Sequence, residues 1–502
     1  MRHYIYTFLV LTIVCFTSCR KDFDFETSSG GLEFSRDTIY LDTVFANIGS
    51  STYTLKVYNR SNKDISIPSV KLGKGLDSKY RITVDGMTGN DNKIFTNVEV
   101  LAKDSLYIYI QTTAAIGDAN PTDFLYTDEI QFSGGGVTQN VNLVTLIQDA
   151  VFLYPARNTD GTYETLPIGG EEVYGFFLDD SELHWTAQKP YVIYGYAAIP
   201  GNKTLTIDPG AKIHFHSGSG LIAANNASLQ VNGTLTDQVV FEGDRLEPSF
   251  SDTPGQWGTI WLTSGSVNNS INYATIKNAG IGILVENSPL VIKNTQLYNH
   301  TNSGILARTG VITGENVVIS RTGESTFAGT YGGTYNFSQS TFGNYWNSGS
   351  RSAPTVTLTN FIETSTGTLT ENLQNSSFTN CIIYGNNNLE LGLSKNNNAQ
   401  FQLAFNYCLI KFIDFSGQYG SNPLYQFTSS TASSDVYYNN CLIAKTSTSN
   451  NPRFINPGNN NLKIQESSAA RNVAPSTPVP NDILGNPRST PADLGAYNYS
   501  AE

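Results

Sequence analysis

The sequence predicts an all-β chain in two parts, a β-sandwich followed by a parallel β-helix. Charged residues make up 14% of the 502 residues, aromatic residues 12%, and glycine occurs 44 times, which is typical of folded β-rich proteins. Long runs with apolar residues at helical spacing are nearly absent. From residue 203 onward, short aliphatic runs recur at a drifting interval of about 20–25 residues, which indicates one solenoid coil per repeat.

Residues 1–18 are predicted to be a signal peptide, because basic residues precede an apolar run that is too short to span a bilayer. The run ends in "FTSC", which resembles a bacterial lipobox with Phe16 in the usual leucine position and the small Ser18 before the cysteine. The resemblance implies that Cys19 carries a lipid, which anchors the protein without a transmembrane helix. An ordinary cleaved signal, with Cys19 incidental, is the alternative.

Residues 19–30 are predicted to form a polar tether. Its "RKDFDFE" is similar to the surface-export tag of lipoproteins in Bacteroidota-type bacteria, which implies a location on the outer face of the outer membrane. The formal net charge of −12 argues against nucleic-acid binding, and it disfavours direct binding to acidic polymers unless a cation bridges them. No cofactor is predicted, and Ca²⁺ stays open as a bound ion.

Residues 31–150 are predicted to form an immunoglobulin-like sandwich. Seven short alternating runs, separated by turn residues, fit the strand number of such a domain. The region has no Cys or Trp, so it lacks the disulfide and the buried tryptophan that mark the core of antibody domains. Its expected role is spacing or partner contact.

Residues 151–200 are aromatic-rich and are predicted to lead into and cap a solenoid that spans residues 201–445. Within it, the residues that open each short run can be aligned, and no repeat has a helical pattern. The aligned residues are Ala274, Thr295, Val317, Thr341, Phe361, Cys381, Cys408 and Cys441, with Ile207 and Val231 as an earlier pair. Residues 446–502 are predicted to cover the open strand edge of the last coil.

Cys381, Cys408 and Cys441 each stand three residues after an aromatic residue and directly before two aliphatic ones. Equivalent residues of stacked coils lie about 4.8 Å apart, so the three are predicted to form an interior ladder of small apolar side chains. Stacked strands hold cysteines too far apart and too parallel for a disulfide. A three-cysteine metal site is the alternative, although it would need a fourth ligand.

Two segments resemble right-handed parallel β-helix lipoproteins exported by Bacteroidota-type bacteria, which have the pectate-lyase-like fold. The first is "LTIDPGAKIHFHSGSGLIAANNASLQVNGTLTDQVVFEGDRLEPSFSDTPGQWGTIWL". The second is the tail, with Asn451-Pro452-Arg453-Phe454, Gly485-Asn486-Pro487-Arg488 and Asp493-Leu494-Gly495-Ala496-Tyr497 in the places of the group's C-terminal motifs. The resemblance covers about residues 165–502 and implies a right-handed, single-stranded helix. It implies no particular activity.

The densest charge cluster is "FEGDRLEPSFSDTPGQW". It contains the acidic and basic candidates Glu242, Asp244, Arg245, Glu247 and Asp252. It ends at the aromatic candidate Trp257, with a second, Trp261, close behind. Acids beside a basic residue could serve a polysaccharide lyase, and the tryptophans could stack on sugar rings. The alternative is a loop that local salt bridges pin, with tryptophan packed beneath it.

Three further pairs are candidates. His214 and His216 alternate on one strand and could bind metal or act as a base. Arg308 and Arg321 come from adjacent coils, where stacked arginines could hold an acidic sugar. Asn278 and Asn299 are best interpreted as a hydrogen-bonded ladder.

No GxSxG, HExxH, P-loop or GxGxxG motif is present. We therefore favour a lipid-anchored surface protein that binds glycan along the solenoid without catalysis. A polysaccharide lyase or glycoside hydrolase, and a structural scaffold, are the alternatives.

Overall fold

The computed structural model describes residues 24–168, 170–428 and 435–500, so the predicted signal peptide and Cys19 lie outside the described residues. The chain divides into two compact units between Asp149 and Ala150. Among the described residues, no helix has the length and apolar character that crossing a membrane requires.

The first unit is a β-sandwich whose two sheets share one hydrophobic core, as predicted. One sheet contains the strands Glu26–Thr27, Thr38–Phe45, Ile65–Leu72, Ile94–Val100, Leu125–Gly134 and Val137–Gln148. The other contains Glu33–Phe34, Tyr53–Tyr58, Tyr80–Val84 and Ser105–Thr112. Each of the seven predicted runs overlaps a strand.

The second unit is a parallel β-helix, as predicted. The chain winds through three long sheets, which we number I, II and III in the order in which a coil meets them. Sheet I contains Val151–Leu153, Tyr191–Ile193, Lys212–Phe215, Val239–Gly243, Ala274–Lys277, Gln296–His300, Val318–Thr322, Thr341–Asn344, Ile382–Gly385, Leu409–Lys411 and Leu442–Ala444. Sheet II contains Thr165–Ile168, Glu171–Phe177, Tyr196–Ile199, Gly220–Ala223, Ile260–Leu262, Ile283–Glu286, Ile305–Arg308, Phe327–Tyr331, Val356–Thr359 and Leu391–Ser394. Sheet III contains His184–Trp185, Thr204–Ile207, Ser228–Asn232, Asn269–Asn272, Pro289–Lys293, Val311–Glu315, Thr334–Ser338, Leu373–Thr379, Phe401–Asn406 and Val436–Asn439.

Shorter elements complete the described chain. Two further strand pairs are antiparallel: Phe361–Thr364 with Gly367–Thr370, and Phe454–Asn456 with Asn461–Ile464. The 3-10 helices are Gly75–Asp77, Ile116–Asp118, Asp180–Glu182, Pro248–Phe250, Pro423–Tyr425 and Pro457–Asn459.

One residue turns the chain from sheet III into sheet I in successive coils. This position has φ between 47° and 56° in seven successive coils, at Tyr273, Asn294, Asn316, Gln339, Asn380, Tyr407 and Asn440, so four of the seven are asparagine. Asparagine tolerates this left-handed conformation better than most residues do. The Asn316 amide also donates to Asn294 Oδ1 at 2.9 Å, so the corner is a hydrogen-bonded column.

The predicted cysteine ladder is present. Cys381, Cys408 and Cys441 are free thiols that stand immediately before sheet I strands, and the first two are fully buried. Each thiol lies within 3.5 Å of a backbone carbonyl oxygen of the preceding coil. Beside them, Phe378 and Phe405 stack with centroids 5.3 Å apart, which continues the interior column.

The predicted repeat register needs two corrections. Ile207 pairs with Val231, as predicted. However, Ser340, not Thr341, precedes the equivalent sheet I strand, because Val318 pairs with Thr341. Phe361 is not a coil position: it begins the antiparallel hairpin that leaves the coil after sheet II. That insertion makes one long coil look like two short ones.

The end of the solenoid also differs from the prediction. Residues 412–428 provide the aromatic end of the core: Phe412 stacks on Tyr425 with centroids 4.7 Å apart, and Tyr425 Oη lies 2.7 Å from the Leu393 amide nitrogen. Residues 451–500, which we call the C-terminal segment, instead pack on the outer face of sheet I, in a cluster that contains Ile382 and Leu409.

Candidate functional site

The predicted charge cluster lies on sheet I, where each acid has a partner. Glu242 Oε2 lies 2.8 Å from Lys277 Nζ, and Glu242 Oε1 lies 3.7 Å from His214 Nδ1. Asp244 pairs with His216 at 2.7 Å. These contacts join neighbouring coils, since His214, Glu242 and Lys277 occupy equivalent positions of three successive strands.

The rest of the cluster forms a loop, residues 244–256, that folds over the same sheet. Arg245 pairs with Glu247 at 2.8 Å and lies 3.9 Å above the ring of Phe250. Asn278 donates to Ser251 O at 2.9 Å. The loop is therefore held by local ion pairs and by backbone contacts with the coils beneath it.

Asp252 ends up beside the predicted asparagine ladder. Asn299 donates to Asp252 Oδ1 at 3.2 Å and to Asn278 Oδ1 at 3.3 Å, which confirms the ladder. Asp252 thus fastens the loop to the coil of Asn299, while Ser251 fastens it to the coil of Asn278.

The electrostatics of this cluster do not favour a catalytic base. Burial lowers the pKa of Lys277, but the hydrogen bond and charge of Glu242 outweigh it, so the net pKa is raised and the ammonium form is stabilised. Burial lowers the pKa of His214 and so keeps its imidazole neutral, but at 3% exposure the ring is too buried to contact a polysaccharide. Among the described residues, no group of three or more His, Cys, Asp or Glu side chains is placed to hold a metal ion.

The two candidate tryptophans face opposite ways. Trp257 is 2% exposed, stacks on Phe215 with centroids 4.4 Å apart, and donates its indole proton to Lys277 O. It is therefore a core residue and cannot stack on a sugar. Trp261 lies on the outer face of sheet II, where it is only partly buried.

The two candidate arginines also separate, so the predicted arginine stack is absent. Arg321 lies in sheet I, is 7% exposed and donates to Asn347 Oδ1 at 3.0 Å. Arg308 ends a sheet II strand and remains exposed. The sheets were not distinguishable from the repeat interval alone.

Trp261 and Arg308 share a carboxylate that sequence analysis missed. The Trp261 indole donates to Glu286 Oε2 at 2.9 Å, and Arg308 Nη1 donates to Glu286 Oε1 at 3.2 Å. The signal was available: "GILVEN" and "GILART" align without a gap and place Glu286 opposite Arg308, which is the observed register.

Apolar side chains run beside this group. Trp261 pairs with Leu284, which pairs with Leu306, and both leucines are partly exposed. Tyr331 follows Arg308 on the next strand. We call this surface the sheet II strip: Trp261, Leu284, Glu286, Leu306, Arg308 and Tyr331.

A hairpin covers the outer face of sheet II beside the Trp261 end of the strip. Leu166, in the hairpin formed by Thr165–Ile168 and Glu171–Phe177, packs on Ala198 and Ile222, with Trp261 at the margin of the same cluster. The strip therefore starts where this cover ends.

Comparison with known proteins gives no family. No protein-family model matches the chain, and no curated protein matches it. Part of the chain is similar to a solved family 123 glycoside hydrolase from Clostridium perfringens, with 9% identity and a TM-score of 0.18, over 25% of this chain and 28% of that chain. The catalytic unit of a GH87 alpha-1,3-glucanase from Streptomyces thermodiastaticus is similar over 72% of this chain and 84% of that chain, with 11% identity and a TM-score of 0.22. Likenesses at this level carry no argument about activity.

Proposed function

We propose that this protein binds glycan along the sheet II strip without cleaving it. The observation that carries the proposal is the group of Trp261, Glu286 and Arg308, which spans three successive coils and leaves the Arg308 side chain 49% exposed. A partly exposed indole, two leucines and a charged pair combine an apolar surface with directed polar groups, as ligand sites generally do.

The shape of the strip suits an extended ligand. Its residues repeat once per coil, so equivalent contacts recur about every 4.8 Å along the solenoid axis. A polymer laid along the axis could use several of these contacts at once.

The alternative, a polysaccharide lyase or glycoside hydrolase, remains a hypothesis that the test must address. A glycosidase uses two carboxyl groups that flank the scissile bond. In the strip, Glu286 is engaged by Trp261 and Arg308. On sheet I, Glu242 is engaged by Lys277. These pairings favour binding over catalysis.

Affinity electrophoresis tests the proposal. The protein from residue 20 onward is run through gels that contain embedded polysaccharides, with and without Ca²⁺, and the gels are stained for intact polymer. We expect retardation without clearing, and in gels of uncharged polysaccharide we expect Trp261→Ala to remove it. Tyr437→Ala, which removes a 40% exposed aromatic from sheet III, is the control and should migrate as the unmodified protein does.

Each other outcome identifies an alternative. A cleared zone would establish an enzyme, and loss of clearing without loss of retardation in Glu242→Gln or Glu286→Gln would locate its acid. Unchanged mobility on a broad polysaccharide panel would favour the scaffold hypothesis.

We further propose that lipid on Cys19 holds the protein on the outer face of the outer membrane. The support is the "FTSC" sequence and the charged tether that follows it. Labelled fatty acid should enter the protein in cells, and Cys19→Ala should abolish both the label and sedimentation with membranes.

A further inference from the structure

The four-stranded sheet of the sandwich presents an aromatic outer face that the solenoid proposal does not use. Tyr107 and Tyr109 alternate along the strand Ser105–Thr112 and are 43% and 45% exposed. Tyr58 lies on the neighbouring strand Tyr53–Tyr58. Large aromatic side chains exposed together on one sheet face mark an interaction surface more often than a solvated one.

Two cations stand among these rings without a carboxylate partner in the described part of the chain. Lys56 Nζ lies 5.1 Å from the centroid of Tyr107 and 5.3 Å from that of Tyr58, so it sits between the two rings. Arg81 pairs across the sheet with Gln111 and donates to Thr113 Oγ1 at 3.2 Å.

The neighbouring acids do not neutralise these cations. Glu33 pairs with Arg60 at 2.8 Å, and Asp91 pairs with Lys93 at 3.2 Å. Asp85 lies beside Tyr107 at the border of the face, and the Asp85 backbone N–H donates to the Tyr107 carbonyl oxygen. Asp85 lies four residues along the edge strand from Arg81, which is about 13 Å in extended chain.

Tyr109 and Arg81 also line a shallow depression of about 450 Å³. The other lining residues supply hydroxyl and amide groups: Thr52, Thr83, Asn92 and Gln111. The volume lies within the range of small-ligand sites, which is about 300–1,000 Å³. No carboxylate lines the depression, so its one charged group is a guanidinium.

We propose that this face, which we call the tyrosine face, is a second glycan site that binds a uronate-bearing polysaccharide. The rings of Tyr107 and Tyr109 would stack on successive sugar rings, since they lie about 7 Å apart on one strand. Lys56 and Arg81 would each meet a sugar carboxylate, and a planar guanidinium can bind a carboxylate through two hydrogen bonds.

The overall charge of −12 makes the proposal more specific. Long-range repulsion opposes the approach of a polyanion, so a retained polyanion must be held by a local cationic site. Exposed charges more than about 8–10 Å away are screened at physiological salt, so the bound sugar meets local charges only. Among the described residues, Lys56 and Arg81 are the unpaired cations there, whereas Asp85 beside Tyr107 opposes a sugar carboxylate at that end of the face.

The test is affinity electrophoresis of the protein from residue 20 onward in polygalacturonate, in highly methyl-esterified pectin, and in a gel without polymer. Esterification removes the carboxylate charge and keeps the sugar ring, so the two polymers separate stacking from charge. We expect retention in polygalacturonate, and at least about tenfold weaker apparent affinity for the esterified polymer.

Variants locate the site. Tyr107→Ala with Tyr109→Ala should lower the affinity for polygalacturonate about tenfold or more. Lys56→Gln with Arg81→Gln should abolish the difference between the two polymers. Tyr40→Ala, which removes a 66% exposed tyrosine from the other sheet of the sandwich, is the matched control and should bind as the unmodified protein does.

Two results would overturn the proposal. One is equal retention in both polymers, and the other is a tyrosine double variant that is folded by circular dichroism and binds normally. The strip variant Trp261→Ala should leave polygalacturonate binding intact. The failure of one site is therefore distinguishable from the failure of the other.

Discussion

Sheets I and II belong to the same coils, yet their outer faces differ. On sheet I, loop 244–256 fastens to Lys277, Asn278 and Asn299, and the C-terminal segment packs on later strands of the same sheet. On sheet II, the hairpin that contains Leu166 ends its cover at Trp261. A charged residue on this solenoid therefore acquires its role from the segment that covers its sheet face. The repeat itself does not distinguish one sheet face from another.

The largest effect should come from the residue that fixes the C-terminal segment. Arg488 Nη2 donates to Asn316 Oδ1 at 2.8 Å and to Gly495 O at 3.0 Å, and burial lowers its pKa to about 10. Arg488→Ala removes these bonds and leaves the acceptors without a donor, so we expect a loss of about 3 kcal/mol in the free energy of unfolding. Urea denaturation followed by fluorescence measures it.

Arg308→Ala is the matched control on the open face. Its ion pair with Glu286 is partly exposed, and such pairs contribute at most about 1 kcal/mol. Limited proteolysis should also release fragments of residues 451–500 from the Arg488 variant alone. Equal losses of stability in the two variants would contradict the comparison.

The next-largest effect should come from a histidine in the interior of the solenoid. His300 is fully buried, and burial lowers its pKa to about 3, so the folded protein keeps the imidazole neutral. The unfolded chain binds a proton below its ordinary pKa of about 6.5, so stability is complete above that pH and falls as the pH falls toward 3. Between pH 6.5 and 4.5 we expect a loss of about 2.5 kcal/mol from this residue.

The measurement is the urea midpoint at a series of pH values. His300→Gln should flatten the acid slope, because it removes the fully buried imidazole that stays neutral in the folded protein. A residual slope is expected from His214, whose pKa burial also lowers. An unchanged slope in the His300 variant would contradict the assignment.

A smaller effect is expected in the cysteine ladder. Cys408 is fully buried, and burial raises its thiol pKa, so the native thiol should not react with a maleimide until the coil opens. Cys408→Ser replaces a weakly polar thiol by a hydroxyl in an apolar column and should cost about 1–2 kcal/mol. Labelling of Cys408 in the folded protein within minutes would contradict its burial in the cysteine ladder.

Sequence analysis predicted the fold more closely than the site, for a physical reason. Strand periodicity and the asparagine corners are local features, so the sandwich and the cysteine ladder were accessible from residues alone. Which sheet a residue joins depends on loop lengths, and the insertion at Phe361 hid one long coil. Loop lengths also decide the sheets of Arg308 and Arg321, which lie on different sheets although the repeat interval places them in adjacent coils.

Whether each candidate side chain is buried or exposed was also not predictable from the sequence. Trp257 and Trp261 are four residues apart and both stand near a glycine. Only the register of Trp261 with Leu284 shows that it points outward, while Trp257 precedes the strand and turns inward onto Phe215. The contacts of the C-terminal segment, such as Tyr497 Oη with Gln296 Oε1 at 3.3 Å, span 201 residues of sequence and leave no local signal.

The smallest effect on stability, and the sharpest test of the open face, is Glu286→Gln. The amide oxygen can still accept from the Trp261 indole, but the charge that holds Arg308 is lost. We expect a change in the free energy of unfolding below about 0.5 kcal/mol. Glycan binding should fall several-fold, because Arg308 loses the partner that orients it. In a double-mutant cycle with Arg308→Gln, the second substitution should add little to the first, since both remove the same ion pair. Additive losses of binding would mean that Glu286 and Arg308 contact the ligand separately, and the shared carboxylate would then not organise the strip.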